Sequence, residues 1–243
     1  MPEQLWFTGI LNHALAQPVT ALLRALHMEP AFPQAPINNA VAMQILVVAF
    51  LLVLFVMVRA RLSVEQPKAL QHVFEGVHEF IQGQSEEIIG HHSEGFTPFL
   101  VALALFILIC NLIGLIPGFE SPTAVPIVPL GCAICAFIYY HTQGFKHHGV
   151  AYLKHFMGPM WWLAIIMVPI EIISHLARVL SLTVRLYANM FAGDMVTMVF
   201  FSLVPVLVPV LFLGLHIGVS FLQTYIFVLL TTVYLSGAVA DEH

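Results

Sequence analysis

From Ala40 to Val58 the chain carries no charged residue and a single amide, Gln44. A run of that length and character is suited to cross a bilayer as one helix. Lipid offers no partner to backbone N–H and C=O groups, so a spanning segment must satisfy them within itself. The rest of the chain agrees. Over 243 residues it is 60% hydrophobic and 9% charged, with a mean hydropathy of +0.93, well above an ordinary soluble domain. The expected class is an all-α membrane protein, a helix bundle in lipid.

Further runs fix the number of crossings. Phe96 to Ile116 is a second span, with Asn111 near its end and "IPGFESP" as a turn. Val125 to Tyr140 is a third, close enough to form a hairpin with the second, and residues 141–158 read as a polar, His-rich loop. Apolar residues then dominate from Trp161 to Phe201 and from Leu203 to Leu235. A helix over 161–201 would be roughly 60 Å long, about twice the hydrocarbon thickness. Two passes would need a turn near residues 178–185, where no Gly or Pro offers one, so steeply tilted single helices are expected. Glu65 to Gly90 differs, with Ala69, Leu70, Val73, Phe74, Val77, Phe80 and Ile81 at helical spacing among charges. Such a helix lies in the membrane interface or packs on a partner subunit.

About five crossings plus this amphipathic helix form one transmembrane domain over 40–243. Residues 1–39 are mixed, contain five prolines and read as an extramembrane segment without a removable signal peptide. Arg59, Arg61 and Lys68 follow the first span, and Lys146 and Lys154 follow the third. These basic residues fall on one side, so the N-terminus is expected outside and the C-terminus in the cytoplasm.

Ionisable groups inside lipid are costly and default to functional hypotheses. Here they are Glu171, His175, Arg178, Arg185 and Asp194 on the fourth span, and His216 on the fifth. The assigned directions put Glu171 and His175 toward the cytoplasm, Arg185 near mid-depth, and Asp194 and His216 toward the outside. Seven residues make just under two turns, so Glu171, Arg178 and Arg185 share a face with Asn189 close by. Asp194 lies about half a turn round from Arg185, which excludes an intrahelical salt bridge between them. On the fifth span, His216, Ser220, Gln223 and Thr224 make a polar stripe. Asp, Glu and His can relay protons, whereas an arginine keeps its charge. Two titratable groups separated by a permanent cation suit a proton path in two halves.

Other classes fit less well. No P-loop or dinucleotide fingerprint appears, so no nucleotide chemistry is expected on this chain. Cys132-x-x-Cys135 lies in an apolar run, where thiols pack. A haem-binding subunit would use His175 and His216 as axial ligands, but they lie at opposite depths. An absorption spectrum would decide that alternative. A transporter built on inverted repeats lacks support, since no repeat is seen. Metal binding by the loop histidines His91, His92, His147, His148 and His155 is less expected than solvation.

"SLTVRLYANMFAGDM" at 181–195 closely resembles the signature of subunit a of F-type ATP synthases. "NLIGLIPGFESPTA" at 111–124 and "HIGVSFLQTYIFVLLTTVYLSGA" at 216–238 resemble that family's segments in the same order. The resemblance covers about residues 40–243. It implies a stator in the bacterial inner membrane beside a ring of c-type proteolipids, with b-type peripheral-stalk partners, no nucleic acid and no cofactor or metal. Arg185 matches the family's essential arginine, which separates two half-channels. Asp194 and His216 match the outer relay, Asn189 and Gln223 line the path, and Glu171, with His175 near it, is on the inner side. Some relatives carry an acid where this chain has Gly114. In its place Glu120 or water must serve, or the entrance differs.

Overall fold

The structure, a computed structural model, describes residues 5–25, 27, 32, 35–63, 68–90, 93–116, 118–149, 152, 164–203 and 207–240. Among them are α1 (Trp6–Ala25), α2 (Asn39–Ala60), α3 (Ala69–Ile89), α4 (Thr97–Ile113), α5 (Ile127–His148), α6 (Ala164–Leu203) and α7 (Leu207–Val239). Short 3-10 turns lie at Ser93–Gly95 and Pro122–Ala124, and the described residues contain no strand. The fold is all-α.

Local chemistry accounts for the helix ends. Asn38 caps α2, its side chain accepting from the Val41 N–H at 2.8 Å. Proline in the first turn of α4 sacrifices no helical donor. At the end of α5, Gly149 takes φ +57°, a conformation that favours glycine. That stop lies further on than the composition suggested. Residues 141–148 were expected in a loop but continue α5, because polarity alone does not end a helix and the breaker comes only at Gly149.

α6 runs unbroken for 40 residues through the region where two passes would have needed a turn. At 1.5 Å per residue it measures about 60 Å, so it fits a bilayer only when steeply inclined. α2, α6 and α7 are long and apolar enough to cross a membrane, and α4 is a shorter apolar helix. Large apolar side chains are exposed along α2 (Phe50, Leu52, Val56) and α6 (Ile165, Ile173, Met198), the inverse of a water-soluble bundle.

α4, α5, α6 and α7 pack together around Leu103, Ile107, Ala133, Ala136, Leu186, Met190 and Phe227. Part of the apolar stripe of α3 packs on this chain's own α4 and α7, with Ile81 buried and Phe74 and Val77 beside it, while Leu70, Val73 and Phe80 stay exposed. Two hydrogen bonds fix its register: the Tyr225 hydroxyl donates to Gln84 Oε1 at 3.1 Å, and Ser236 to the Ile88 carbonyl at 3.0 Å. Such bonds matter in lipid, where the hydrophobic effect does not drive helices together.

Candidate functional site

α6 and α7 run antiparallel, and their polar residues meet in rungs. The Arg178 guanidinium lies 5.0 Å over the Tyr234 ring. Asn189 Nδ2 donates to Gln223 Oε1 at 2.8 Å. Asp194 Oδ1 stands 3.8 Å from His216 Nδ1. As the α6 number rises the α7 number falls, so the helical face carrying 178, 189 and 193 looks toward α7.

Asp194 lies off that face and reaches His216 from the side. Gly193 makes this possible: a Cβ built on it would stand 2.7 Å from His216 Nδ1 and 2.9 Å from Cε1. The imidazole thus lies directly over the bare α6 backbone, next to the carboxylate. Its side chain is 3% exposed against 36% for Asp194, so the pair has one dry end and one open end. His216 Nε2 is buried with no hydrogen-bond partner among the described residues.

Arg185 is different. It is half-buried, and the hydrogen bond recorded for it runs to Ser181 Oγ, one turn back, at 3.3 Å. Among the described residues no carboxylate comes within ion-pair distance of it, Asp194 included. Arg178 is answered within the chain. It lies over the Tyr234 ring, and beside it Tyr140 meets His175 Nδ1 at 2.8 Å while His175 Nε2 lies 3.3 Å from Glu171 Oε1. If the phenol donates, neutral His175 accepts at Nδ1 and donates from Nε2 to the carboxylate. That tautomer follows from the network. Glu171, His175 and Tyr140 thus form one hydrogen-bonded chain, with Arg178 held on the neighbouring Tyr234 ring.

Tyr140 and its neighbours were not singled out from sequence. His141 Nδ1 meets the Tyr152 hydroxyl at 2.9 Å, and its ring stacks obliquely against His175 with centroids 4.6 Å apart. Burial pushes the Tyr152 phenol up, so it stays protonated. The available signal was depth: "YYH" at the end of the third span lies level with Glu171 and His175.

A second missed network lies at the other end. Thr123 donates to Asn111 Oδ1 at 2.7 Å, and Ser121, 2.9 Å from Thr123, donates to the Cys110 carbonyl at 3.0 Å. Asn111 Nδ2 points to Thr224 Oγ1 and the Ser220 carbonyl, both at 3.4 Å. All these side chains are buried, including the α7 stripe of His216, Ser220, Gln223 and Thr224. The network ties the α4–α5 turn to α7.

Gly114 belongs to this packing. A Cβ there would lie 2.7 Å from Ser121 Cβ and 2.9 Å from its backbone nitrogen. No side chain fits without moving the turn. We expect Gly114→Asp to reduce sharply the amount of the chain recovered from membranes, as judged by immunoblot. Normal recovery would show that the turn yields freely. An acid at this position is thus incompatible with the packing seen here, whereas Glu120, six residues on, is exposed and accepts from Asn39 Nδ2 at 3.4 Å.

The rival chemistries find little geometry. His175 and His216 engage α6 at residues 175 and 194, about 28 Å apart along the helix, too far to share a haem. No three His, Cys, Asp or Glu are grouped to hold a metal among the described residues. His91, His92 and His155 lie outside them. Cys110 and Cys132 are buried and Cys135 is exposed, all as free thiols.

Comparison with known proteins bears on the whole chain. The sequence profile described as ATP synthase A chain matches residues 41–236. The chain is 56% identical over 244 residues to "ATP synthase subunit a" of Koribacter versatilis, covering 100% of both. It is 52% identical over 235 residues to the protein so named in Solibacter usitatus, covering 96% of this chain and 100% of that one. With its namesake in Trichlorobacter lovleyi it shares 42% over 224 residues, 92% and 95% of the two chains.

Proposed function

This chain belongs to the ATP synthase A chain family, and from that premise we propose that it is the proton-conducting stator of a membrane rotary ATP synthase, with Arg185 dividing its path into two halves. It is an integral membrane protein that serves ATP synthesis and proton transport. The orientation inferred from its basic residues sets the N-terminus outside and the C-terminus in the cytoplasm of a bacterial inner membrane. Its partners are a ring of small proteolipids bearing a mid-membrane carboxylate and the peripheral-stalk chains.

One observation carries the reading. Arg178 has the Tyr234 ring and Asp194 has His216 as partners from other parts of this chain, whereas Arg185 bonds only to Ser181 one turn back and has no carboxylate in reach among the described residues. A half-exposed cation in lipid without an internal counter-charge calls for one from outside the chain. A rotor carboxylate supplies it. A guanidinium about 4 Å away favours the ionised carboxylate by about 4 kcal/mol at an effective dielectric constant near 20, about three pKa units. That is enough to expel the proton that the carboxylate carried through lipid.

The steps follow. Asp194 and His216 accept a proton from the outer side and deliver it past Asn189 and Gln223 to a rotor carboxylate. Once neutral, that carboxylate can leave Arg185 and enter the bilayer. After nearly a full turn it returns on the other side of Arg185 and releases its proton toward Glu171 and His175. Arg185 keeps its charge throughout, and so repels protons that would pass directly between the halves.

Replacement of Asp194 by Asn together with His216 by Gln tests the outer half. We expect ATP-driven acidification of inverted vesicles to slow substantially while ATP hydrolysis stays coupled to what pumping remains. Wild-type pumping rates in the double variant would remove both residues from the path.

A further inference from the structure

The outer pair needs a source of protons, and His216 is nearly inaccessible. At neutral pH free protons are scarce, so a buried acceptor fills quickly only when an exposed acid nearby gathers protons and passes them on. We propose that Glu120 is this proton-collecting residue, and that the N-terminal helix α1, acting through Asn39, is the device that holds it in place. The inference rests on the proton-path reading above and adds to it an entry residue and a role for the N-terminal segment.

Four observations support it. Glu120 is exposed in the α4–α5 turn, two residues before the Pro122–Ala124 segment that packs on α6, the helix that carries Asp194. His216 Nε2, buried and without a partner among the described residues, marks a place where a proton or water can bind behind Asp194. Gly114 cannot carry an acid without displacing Ser121, so the α4 side of the turn offers no substitute.

The fourth is the way Glu120 is held. Asn12 of α1 clasps Ile37 twice, donating to its carbonyl at 3.0 Å and accepting from its N–H at 3.1 Å. Both bonds are buried, which fixes α1 against the entry to α2. The Leu5 N–H donates to Asn39 Oδ1 at 3.3 Å, and Asn39 Nδ2 donates to Glu120 Oε1 at 3.4 Å. Beside it, Trp6 meets the Phe119 ring edge-on at 6.1 Å. Both positions of the turn are thus braced from α1, a helix lying before the 41–236 stretch that the family profile matches. In the step itself, a water-borne proton binds the Glu120 carboxylate. It then passes to Asp194, leaving Glu120 ionised for the next.

A collecting group differs from a structural one in a measurable way: a mobile buffer can replace it. The complete complex is reconstituted with its outer face in dilute or concentrated phosphate, and ATP synthesis driven by an imposed potential is followed. Glu120→Gln is expected to be several-fold slower than wild type in dilute buffer and close to it in concentrated buffer. Glu120→Asp should retain most of the rate, and Asn39→Ala should show the same buffer dependence more weakly. Wild-type rates for Glu120→Gln in dilute buffer would overturn the proposal, as would slowness that buffer does not relieve. Asp194→Asn serves as the reference. If it too runs at the wild-type rate, the proton-path reading fails; if it alone is slow, only the role of Glu120 does.

Discussion

Inverted membrane vesicles carrying Arg185→Ala are expected to show no ATP-driven acidification above vesicles lacking the complex. Two losses combine. Without the guanidinium nothing forces a returning rotor carboxylate to ionise, and the preference of about three pKa units disappears. The electrostatic barrier between the halves also goes, so protons leak back along the path. Arg185→Lys should fare little better, because an ammonium is a point charge without the planar fork and its proton can be lost in a dry site. Arg178→Ala supplies the contrast. Arg178 stacks on Tyr234 beside the Tyr140–His175–Glu171 chain, so its loss should lower the amount of assembled complex. Pumping per complex should persist. Equal loss at both arginines would mean that neither has the specific role given to Arg185.

Gly193→Val is expected to have the next largest effect. Real Cβ atoms essentially never approach another atom below 3.0 Å, and here one would stand 2.7 Å from His216 Nδ1. His216 is 4% exposed and has little room to retreat, and α6 cannot shift without disturbing the Asn189–Gln223 bond one turn away. The imidazole must therefore leave Asp194, from which it is already 3.8 Å distant. A positioned proton-transfer group is worth about 10²- to 10⁴-fold in rate, so pumping should slow by at least about tenfold. Gly193→Ala should fall between. Normal pumping with normal amounts of complex would show that the Asp194–His216 geometry is not used.

The sequence and the structure agree most where lipid leaves the chain little choice. The apolar runs at 40–58 and 96–116 became α2 and α4, and the absence of Gly and Pro at 178–185 foretold an unbroken α6. The polar stripe of α7 and the separate directions of Arg185 and Asp194 follow from helical periodicity, which needs only residue numbers.

What escaped depends on atoms of different elements meeting, or on atoms that are missing. Nothing in a single sequence says that Tyr140 of α5 meets His175 and, through it, Glu171 of α6. Gly193 and Gly114 matter through the Cβ they lack, which no residue type announces. Composition alone points to a loop at the polar end of α5, because solvated residues suit either state. In residues 1–39, five prolines hid α1, which accommodates Pro18 and is held by Asn12 across 25 positions of chain.

The central claim, that the Arg185 face of α6 looks onto a rotor carboxylate, is tested most directly by disulfide cross-linking. The three native cysteines are replaced, Ala188→Cys is introduced one turn from Arg185, and a cysteine is placed beside the mid-membrane carboxylate of the co-purifying proteolipid. Mild oxidation is expected to join the two chains and stop pumping, and reduction to restore it. A cysteine at Leu180, exposed well round the helix from Arg185, should not cross-link. Cross-linking from Leu180 with none from Ala188, or a purified complex without any such proteolipid, would contradict the account.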